Sequence, residues 1–382
     1  MRIIIVGAGI AGCTAARLLA ESGRKVEVWE KRPHVAGNAY DCLNSQGILI
    51  HRYGPHIFHT KLKEVYDLLS RFTDWYPLEH RVLARVGDKM LPVPFNLISL
   101  EQLFSPAKAA RLKDKLIAAY GEGARVPVLD LMRSEDRSLK ALGETVYRII
   151  FRTYTTKQWG TDPKHVDENT LKRVPVLVSR DTRYFQDPYQ GMPLEGYTAL
   201  CEKMLDHPGI ALSLDTDALG RIAFREGRLT VDGVPAGEDT RVIFTGPLDA
   251  LCGYAYGPLP YRTLDFVFTE LDEDRFQEAG VVNYTVDQPF TRITEFKTLT
   301  GQTVPGKTCI MREYSRDQVR GDEPYYPIAG PESAEKYRLY REMLPREVIP
   351  LGRLAEYRYY NMDQVVLQAM KTCEDLIGRT DA

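Results

Sequence analysis

An α/β fold with a helical insert and an antiparallel sheet is what this sequence predicts, on three observations. The first is the N-terminal stretch "RIIIVGAGIAGCTAARLLAESGRKVEVWEKR" (residues 2–32), where a β-branched run, a glycine-rich turn, a helical pattern and a second strand follow one another. The second is the region from about 100 to 158, which has helical spacing and few β-branched residues. The third is the return of short alternating strands from about 211 to 270, continued through "VVNYTV", "FTRITEF" and "KTCIMREY".

"IIIV" (3–6) is the kind of run that a parallel sheet buries on both faces. Residues 11–22, with Ala15, Ala16, Leu18 and Leu19, read as a helix that ends near Gly23. "KVEVWE" alternates as the next strand, and "LKEVYDLLSRF" (62–72) is an amphipathic helix. "VLARVGDKMLPVPF" reads as strands about a Gly-Asp turn, ended by prolines. "SLEQLFSPAKAARLKDKLIAAYG" and "SLKALGETVYRIIFRTYTTKQW" carry the helical insert, which Pro163 breaks. "RVIFT" and "LDFVFTEL" are strands again. "GRLAEYRYYNMDQVVLQAMKTCEDLI" begins as a strand or loop and ends as an amphipathic helix, and no internal repeat or low-complexity linker intervenes.

At 382 residues the chain is long for a single core, so two or three domains are expected. An apolar content of 44% with 27% charge is that of an ordinary globular protein. A formal net charge of -2 gives no electrostatic reason for nucleic-acid binding, while the basic stretch "LKRVPVLVSRDTR" leaves an anionic small molecule open. The cysteines (Cys13, Cys42, Cys201, Cys252, Cys309, Cys373) are scattered without a CxxC pair, which suits free thiols and argues against a disulfide framework or a metal site. The N-terminal apolar run is too short and glycine-rich for a signal peptide, and no later run reaches membrane length. A cytoplasmic protein without a membrane span is expected.

Gly7, Gly9 and Gly12 stand in G-x-G-x-x-G order directly after a strand and at the opening of a helix. The first permits the tight turn, the second lets backbone approach a pyrophosphate, and the third lets helix pack on strand. The helix N-terminus, where Ala11 lies, offers N–H donors and partial positive charge to phosphate. Glu30 ends the second strand, where a carboxylate can accept from both ribose hydroxyls. A tight strand–helix turn with a chance acid is the plainer alternative. The loop after Glu30, "KRPHVAGNAYD", brings Lys31, Gly37 and Asn38. It resembles the second phosphate-proximal loop of glutathione-reductase-type FAD proteins, and it favours FAD over NAD. One glycine of that loop is here Ala36, which is compatible only with a negative φ at this position.

Remote segments then agree with one another: "YGPHIFHT" (53–60), "YTTKQWGTDP" (154–163), "RYFQDPYQGMPLEGYT" (183–198), "FTGPLD" (244–249), "PFTRITEFK" (289–297), "GDEPYYPI" (321–328) and "GRLAEYRYYNMDQV" (352–365). In this order they resemble the bacterial UDP-galactopyranose mutase family over essentially the whole chain. The expected fold class is α/β, a Rossmann-like FAD-binding domain with an inserted helical domain and an antiparallel β-sheet domain. The expected boundaries are 1–73, 195–255 and 331–382 for the discontinuous FAD-binding domain. The helical domain takes 100–172, with a mobile lid towards its end, and the antiparallel-sheet substrate domain takes 74–99, 173–194 and 256–330.

The resemblance implies that FAD works in its reduced form without net redox change. Flavin N5 attacks the anomeric carbon and expels UDP, the ring opens, and the 4-hydroxyl recloses it as a furanose. It implies a UDP-sugar substrate, a homodimer, and a reductant such as NAD(P)H or a flavin reductase. The motifs contain no protein nucleophile with an adjacent base, which agrees with a nucleophile borne by the cofactor.

Arg173 and Arg292 match the family's two diphosphate-binding arginines, whose planar fork suits phosphate oxygens. Taken alone, each reads as a solvated surface charge. Arg173 lies in "DENTLKRVPVLVSRD", a polar, proline-flanked stretch suited to a lid. Tyr154, Thr155 and Trp159, with Phe151 and Phe185 as further stacking candidates, match positions around the uridine; helix-packing core is the alternative. Tyr184, Tyr326 and Tyr359 match tyrosines that donate to diphosphate while neutral at pH 7, with core tyrosine as the alternative. His56 matches the histidine whose backbone lies beside flavin N5, whereas His59 reads as structural. Arg353 resembles the arginine that reaches the FAD pyrophosphate, and Met362 and Asp363 fall near the isoalloxazine edge.

One position departs from the family pattern. Asn361 stands where an acid usually follows the paired aromatics, which removes a negative charge and adds donors. A mutase for another nucleotide hexose therefore stays open. An FAD-dependent oxidoreductase, such as an amine oxidase or a desaturase, shares the N-terminal motif but has no need of a diphosphate clamp.

Overall fold

A computed structural model of the chain describes residues 1–160, 175–225 and 227–378. β1 (Arg2–Val6), apolar on both faces, takes the centre of a five-stranded, all-parallel sheet. β2 (Val26–Trp29) and Ile210–Ser213 lie on one side of it, Thr240–Phe244 and Val348–Pro350 on the other. α1 (Ile10–Glu21) follows β1 and packs against the helices Gly196–Leu205 and Met362–Gly378, with Leu19, Leu200, Met204, Val366 and Ala369 in the shared core. Each of the larger side chains among these contributes about 1.5–3 kcal/mol when removed from water. Small residues on the buried side of α1 let the backbones close up. Gly12 is the limiting case, because a Cβ there would lie 1.9 Å from the Gly7 carbonyl oxygen.

The loop after β2 folds back onto this turn. Ala36 donates its N–H to the Ala8 carbonyl at 2.8 Å and bridges Gly9 as a parallel β-partner. Ala36 adopts φ 70, which corrects the expectation of a negative φ. The docking of loop onto turn holds it in the left-handed region, at a cost of about 1 kcal/mol for a residue with a Cβ.

A second layer is a seven-stranded sheet in the order Tyr326–Pro327, Tyr261–Leu271, Thr308–Asp317, Arg292–Glu295, Val281–Tyr284, Val82–Val86 and Lys89–Val93. It is antiparallel except where Val281–Tyr284 runs parallel to Val82–Val86. That pairing departs from the expected pattern because its two strands come from distant parts of the chain, and only a hairpin forces neighbours antiparallel.

Residues 97–159 fold as helices around their own core of Leu112, Leu116, Leu139, Leu142 and Val146. Their starts are signalled locally. Asn96 and Ser99 form a capping box, Pro106 sits in a first turn, and Asp136 accepts from the Ser138 and Leu139 amides. The last helix, Thr153–Trp159, follows a π-helical stretch, Tyr147–Arg152. Such widened turns are frequent at functional sites, and Ile150 and Phe151 here face the cavity described below. Among the described residues no helix is long and apolar enough to cross a membrane.

Gly12→Ala should lower the free energy of unfolding by about 2 kcal/mol or more, since the clash is with backbone that cannot rotate away. In urea titration the midpoint should fall at constant m-value. An unchanged midpoint would mean that the turn can open to accept the methyl group.

Candidate active site

A cavity of about 1910 Å³ is walled by the parallel sheet, the helical insert and the seven-stranded sheet. A single small-molecule pocket holds roughly 300–1,000 Å³, so this space accommodates two ligands side by side. Its two ends differ in chemistry.

Gly7, Gly9 and Ala11 line one end from the glycine turn, and Glu30, Lys31, Gly37 and Asn38 line it from the loop after β2. The first-turn N–H groups of α1 have no intrahelical partner, and no N-cap side chain takes their place. Gly37 lies so close to Gly9 that a Cβ on it would come 2.9 Å from the Gly9 Cα; two bare backbones form a cradle that a side chain would fill. Glu30, only 4% exposed, accepts from the Ala8 amide at 2.7 Å and the Arg32 amide at 3.0 Å. It therefore shapes the turn, and its carboxylate has lone pairs left for a ligand hydroxyl. Lys31 pairs with Glu323 at 2.8 Å, and Asn38 accepts from Arg32 at 2.9 Å. Gly12 lies beneath this wall, packed under Gly7.

Arg353 also reaches the cavity, its guanidinium 4.8 Å over the Tyr359 ring and 5.4 Å over Tyr326. Its buried Nε has no partner among the described residues. Cradle, uncapped helix end and unsatisfied guanidinium nitrogen form a donor set for a pyrophosphate. The residues present fit a dinucleotide cofactor of the flavin class.

His56 lines the cavity between the two ends. Its amide donates to His51 Nδ1 at 3.1 Å, and its own Nδ1 donates to the Gly54 carbonyl at 2.9 Å. Enclosure within the protein lowers the His56 pKa to about 3, with His51 adding to the effect. Burial likewise lowers His51 to about 4 and, with Arg292 contributing, His80 to about 3. All three are neutral imidazoles at physiological pH.

At the other end stands Arg292, directly opposite Glu313 in the register of neighbouring strands. Arg292 Nε and Nη2 both donate to Glu313 Oε2, at 2.9 Å and 2.8 Å, while Glu313 is fully buried and its Oε1 has no partner among the described residues. Burial opposes the arginine charge, but Glu313, Tyr154 and Tyr326 outweigh it and hold the guanidinium pKa above its ordinary value. The Tyr154 and Tyr326 hydroxyls are pushed up by burial and remain protonated donors.

Tyr184 and Phe185 join the same wall in edge-to-face contact at 4.8 Å. Phe185 stacks on His59 at 3.5 Å, and His59 Nδ1 donates to Asp187 at 2.6 Å, so the histidine read as structural fixes the ring beside it. Phe151, Tyr359, Asn361 and Met362 also line the cavity.

Besides Gly12, three sequence candidates sit off the wall. Thr155 is buried in its helix, Trp159 stands behind Tyr326 and Tyr359 at 6.1 Å and 6.2 Å, and Asp363 accepts from Thr60 Oγ1 at 3.0 Å. Arg173 lies outside the described residues. Sequence reasoning missed Glu313, His80 and Glu356. Glu356 accepts from the Gly352 amide at 2.9 Å and from the Tyr360 hydroxyl, and so holds the loop that carries Arg353 and Tyr359. The one available signal was an acid inside the apolar run "TCIMREY", and its meaning depends on the strand opposite.

Fold and cavity define an α/β protein with a dinucleotide cradle and room beside it for a second ligand. A family model described as UDP-galactopyranose mutase matches residues 149–359, and one for an NAD(P)-binding Rossmann-like domain matches 5–72. The chain is 35% identical to a probable UDP-galactopyranose mutase of Klebsiella pneumoniae, over 98% of this chain and 94% of the relative. It is 34% identical to a dTDP-fucopyranose mutase of Escherichia coli, over 98% and 97%. Its fold resembles the crystal structure of a reduced UDP-galactopyranose mutase with a TM-score of 0.73 at 18% identity, covering 99% and 95% of the two chains. The chain belongs to the UDP-galactopyranose mutase family, and the protein is an isomerase.

Arg292→Met should cost about 3 kcal/mol of stability, because it leaves Glu313 buried and unpaired. Arg292→Met/Glu313→Gln should regain most of that loss in chemical denaturation; equal stability of the single and double variants would mean that solvent already compensates Glu313. A second expectation concerns pH. The folded protein keeps His51 and His80 neutral to about pH 4 and 3, while in the unfolded chain both bind a proton below about 6.5. The unfolded state then holds more protons, so the stability is fully present above that value and is lost as pH falls. Between pH 7 and 5.5 the loss should be roughly 1 kcal/mol per histidine, and His80→Leu should remove its share; an unchanged slope would place the proton uptake elsewhere.

Proposed function

We propose that the protein interconverts the pyranose and furanose forms of a nucleotide hexose, UDP-galactopyranose and UDP-galactofuranose, with reduced FAD. The observation that carries this reading is the convergence of two protonated phenols, Tyr154 and Tyr326, on an arginine locked in its charged form by Glu313, in one cavity with a dinucleotide cradle. An oxidase pocket for an amine or a hydrocarbon has no use for an arginine held charged in this way.

Reduced FAD would supply N5 as the nucleophile toward the anomeric carbon. The chain does the rest. Arg292, with Arg173 assigned by resemblance, takes up the charge that UDP gains as the anomeric C–O bond breaks. Tyr184, Tyr326 and Tyr359 add neutral hydrogen-bond donors. Phe151, Tyr154 and Phe185 offer ring faces to the base. The neutral imidazoles of His51, His56 and His80 introduce no charge that would compete for the phosphates. Enclosure of the reacting sugar keeps water from intercepting it. NAD(P)H or a flavin reductase would furnish the electrons.

A second reading keeps the chemistry and changes the sugar. The dTDP-fucopyranose mutase of Escherichia coli is as similar to this chain as the Klebsiella protein, and Asn361 on the cavity wall replaces the family's usual acid. A dTDP-6-deoxyhexose is the substrate on this reading.

Anaerobic incubation of dithionite-reduced protein with UDP-galactofuranose, UDP-galactopyranose and dTDP-sugars, followed by chromatography, separates the two. Reduced protein should convert one nucleotide class over many turnovers from a single reduction, and oxidised protein should be inert. Consumption of one NAD(P)H per product would overturn the proposal in favour of an oxidoreductase.

A further inference from the structure

Lys157 lies on the helix Thr153–Trp159, between Tyr154 and Trp159 in sequence, and is absent from the cavity wall. Its half-buried ammonium reaches out of the helix into the turn that joins Val281–Tyr284 to Arg292–Glu295. There it donates to the backbone carbonyls of Tyr284, Val286 (3.1 Å), Gln288 (3.2 Å) and Phe290 (3.1 Å). The four acceptors are alternate residues, so one stretch of chain wraps around a point charge. Bonds from the Gln288 amide to the Val286 carbonyl (2.7 Å) and from the Tyr284 amide to the Thr291 carbonyl (2.9 Å) close the turn.

An ammonium has three protons for these four oxygens, and it is a compact charge on a flexible stem. The arrangement is a cation site built of carbonyl dipoles, as in ion-selective filters, filled from within by a side chain. Without a cation the four carbonyl dipoles would face one another, and the more buried of them, those of Tyr284 and Phe290, would lose this donor at some cost. The next residue of the helix has its own anchor: Arg262, 2% exposed, donates to the Gln158 carbonyl at 3.1 Å and Ser315 Oγ donates to the same oxygen at 2.7 Å. Arg292 follows the wrapped stretch two residues after Phe290.

We propose that Lys157 is a positioning residue whose ammonium, seated in this carbonyl cage, sets the separation between the helix bearing Tyr154 and the strand bearing Arg292. The cage is a monovalent-cation site that potassium or ammonium can occupy when the side chain is withdrawn. The inference rests on the proposed function where UDP affinity or turnover is the readout, and stands apart from it where the melting temperature is.

Lys157→Met keeps most of the stem and removes the charge. In choline buffer its affinity for UDP, measured by calorimetry, should fall about tenfold. KM for the nucleotide sugar should rise by a similar factor while kcat stays within about threefold and flavin content is unchanged. Potassium or ammonium, exchanged for choline at constant ionic strength, should restore UDP affinity and raise the variant's melting temperature, with no such effect on wild type. A merely structural lysine would reduce the yield of folded protein and leave UDP affinity and KM alone.

Unchanged UDP affinity, or a loss that potassium and ammonium do not reverse, would overturn the proposal. If Lys157→Met cannot be recovered folded, Lys157→Arg takes its place. Its broad planar head does not fit the cage, so weakened UDP binding at normal flavin content supports the assignment and wild-type binding refutes it. Wild-type protein that binds no UDP would instead sink the proposed function, and the melting-temperature rescue would still decide the cage.

Discussion

A carboxylate shut off from solvent sets the electrostatics of one whole end of the cavity. Glu313 is buried between strands, and its Oε2 takes two donors from Arg292. Leaving either charge unpaired there costs several kcal/mol, so each partner depends on the other. The pairing requires strands Arg292–Glu295 and Thr308–Asp317 to meet in a single register; a slip of one residue would turn every side chain to the opposite face. The sheet register and the ionisation of the site are thus one constraint. Tyr154 and Tyr326 add to it as phenols too deeply placed to ionise.

The cofactor end follows a different logic, in which side chains are kept away. Gly9 and Gly37 bring two backbones together, and α1 opens with donors that no side chain caps. Ala36 accepts left-handed strain to dock the second loop against the first. Charge is supplied sparingly, by Arg353 and by the helix terminus, while nearby histidines are held neutral by burial. Such a site presents donors to a pyrophosphate with little reorganisation when it arrives.

The two ends are joined by the helical insert. Its last helix carries Tyr154 towards the cavity, sets Trp159 behind Tyr326 and Tyr359, and reaches the seven-stranded sheet through Lys157 and the Gln158 carbonyl. Family membership accounts for the shared architecture. Asn361 lines the cavity, and an amide there carries no charge where an acid of the same size would.

The sequence alone determined what is local. The β1–α1–β2 unit with Gly7, Gly9, Gly12 and Glu30 was legible because strand, turn, helix and acid lie within thirty residues, and each has its own signature. The helical insert was legible from its periodicity and its scarcity of β-branched residues, and the aromatic motifs from their resemblance to a family. Other features were decided only by tertiary contacts. Ala36 takes its φ from a loop docked on a remote turn, and the parallel pairing of 82–86 with 281–284 joins strands about two hundred residues apart. Thr155, Trp159 and Asp363 are set behind the residues that line the cavity, a placement fixed by helix rotation and packing and not by composition. Glu313 was an unremarked acid in a strand until register set it against Arg292. Its burial, and so its meaning, arises from contacts that form only when distant segments close on one another.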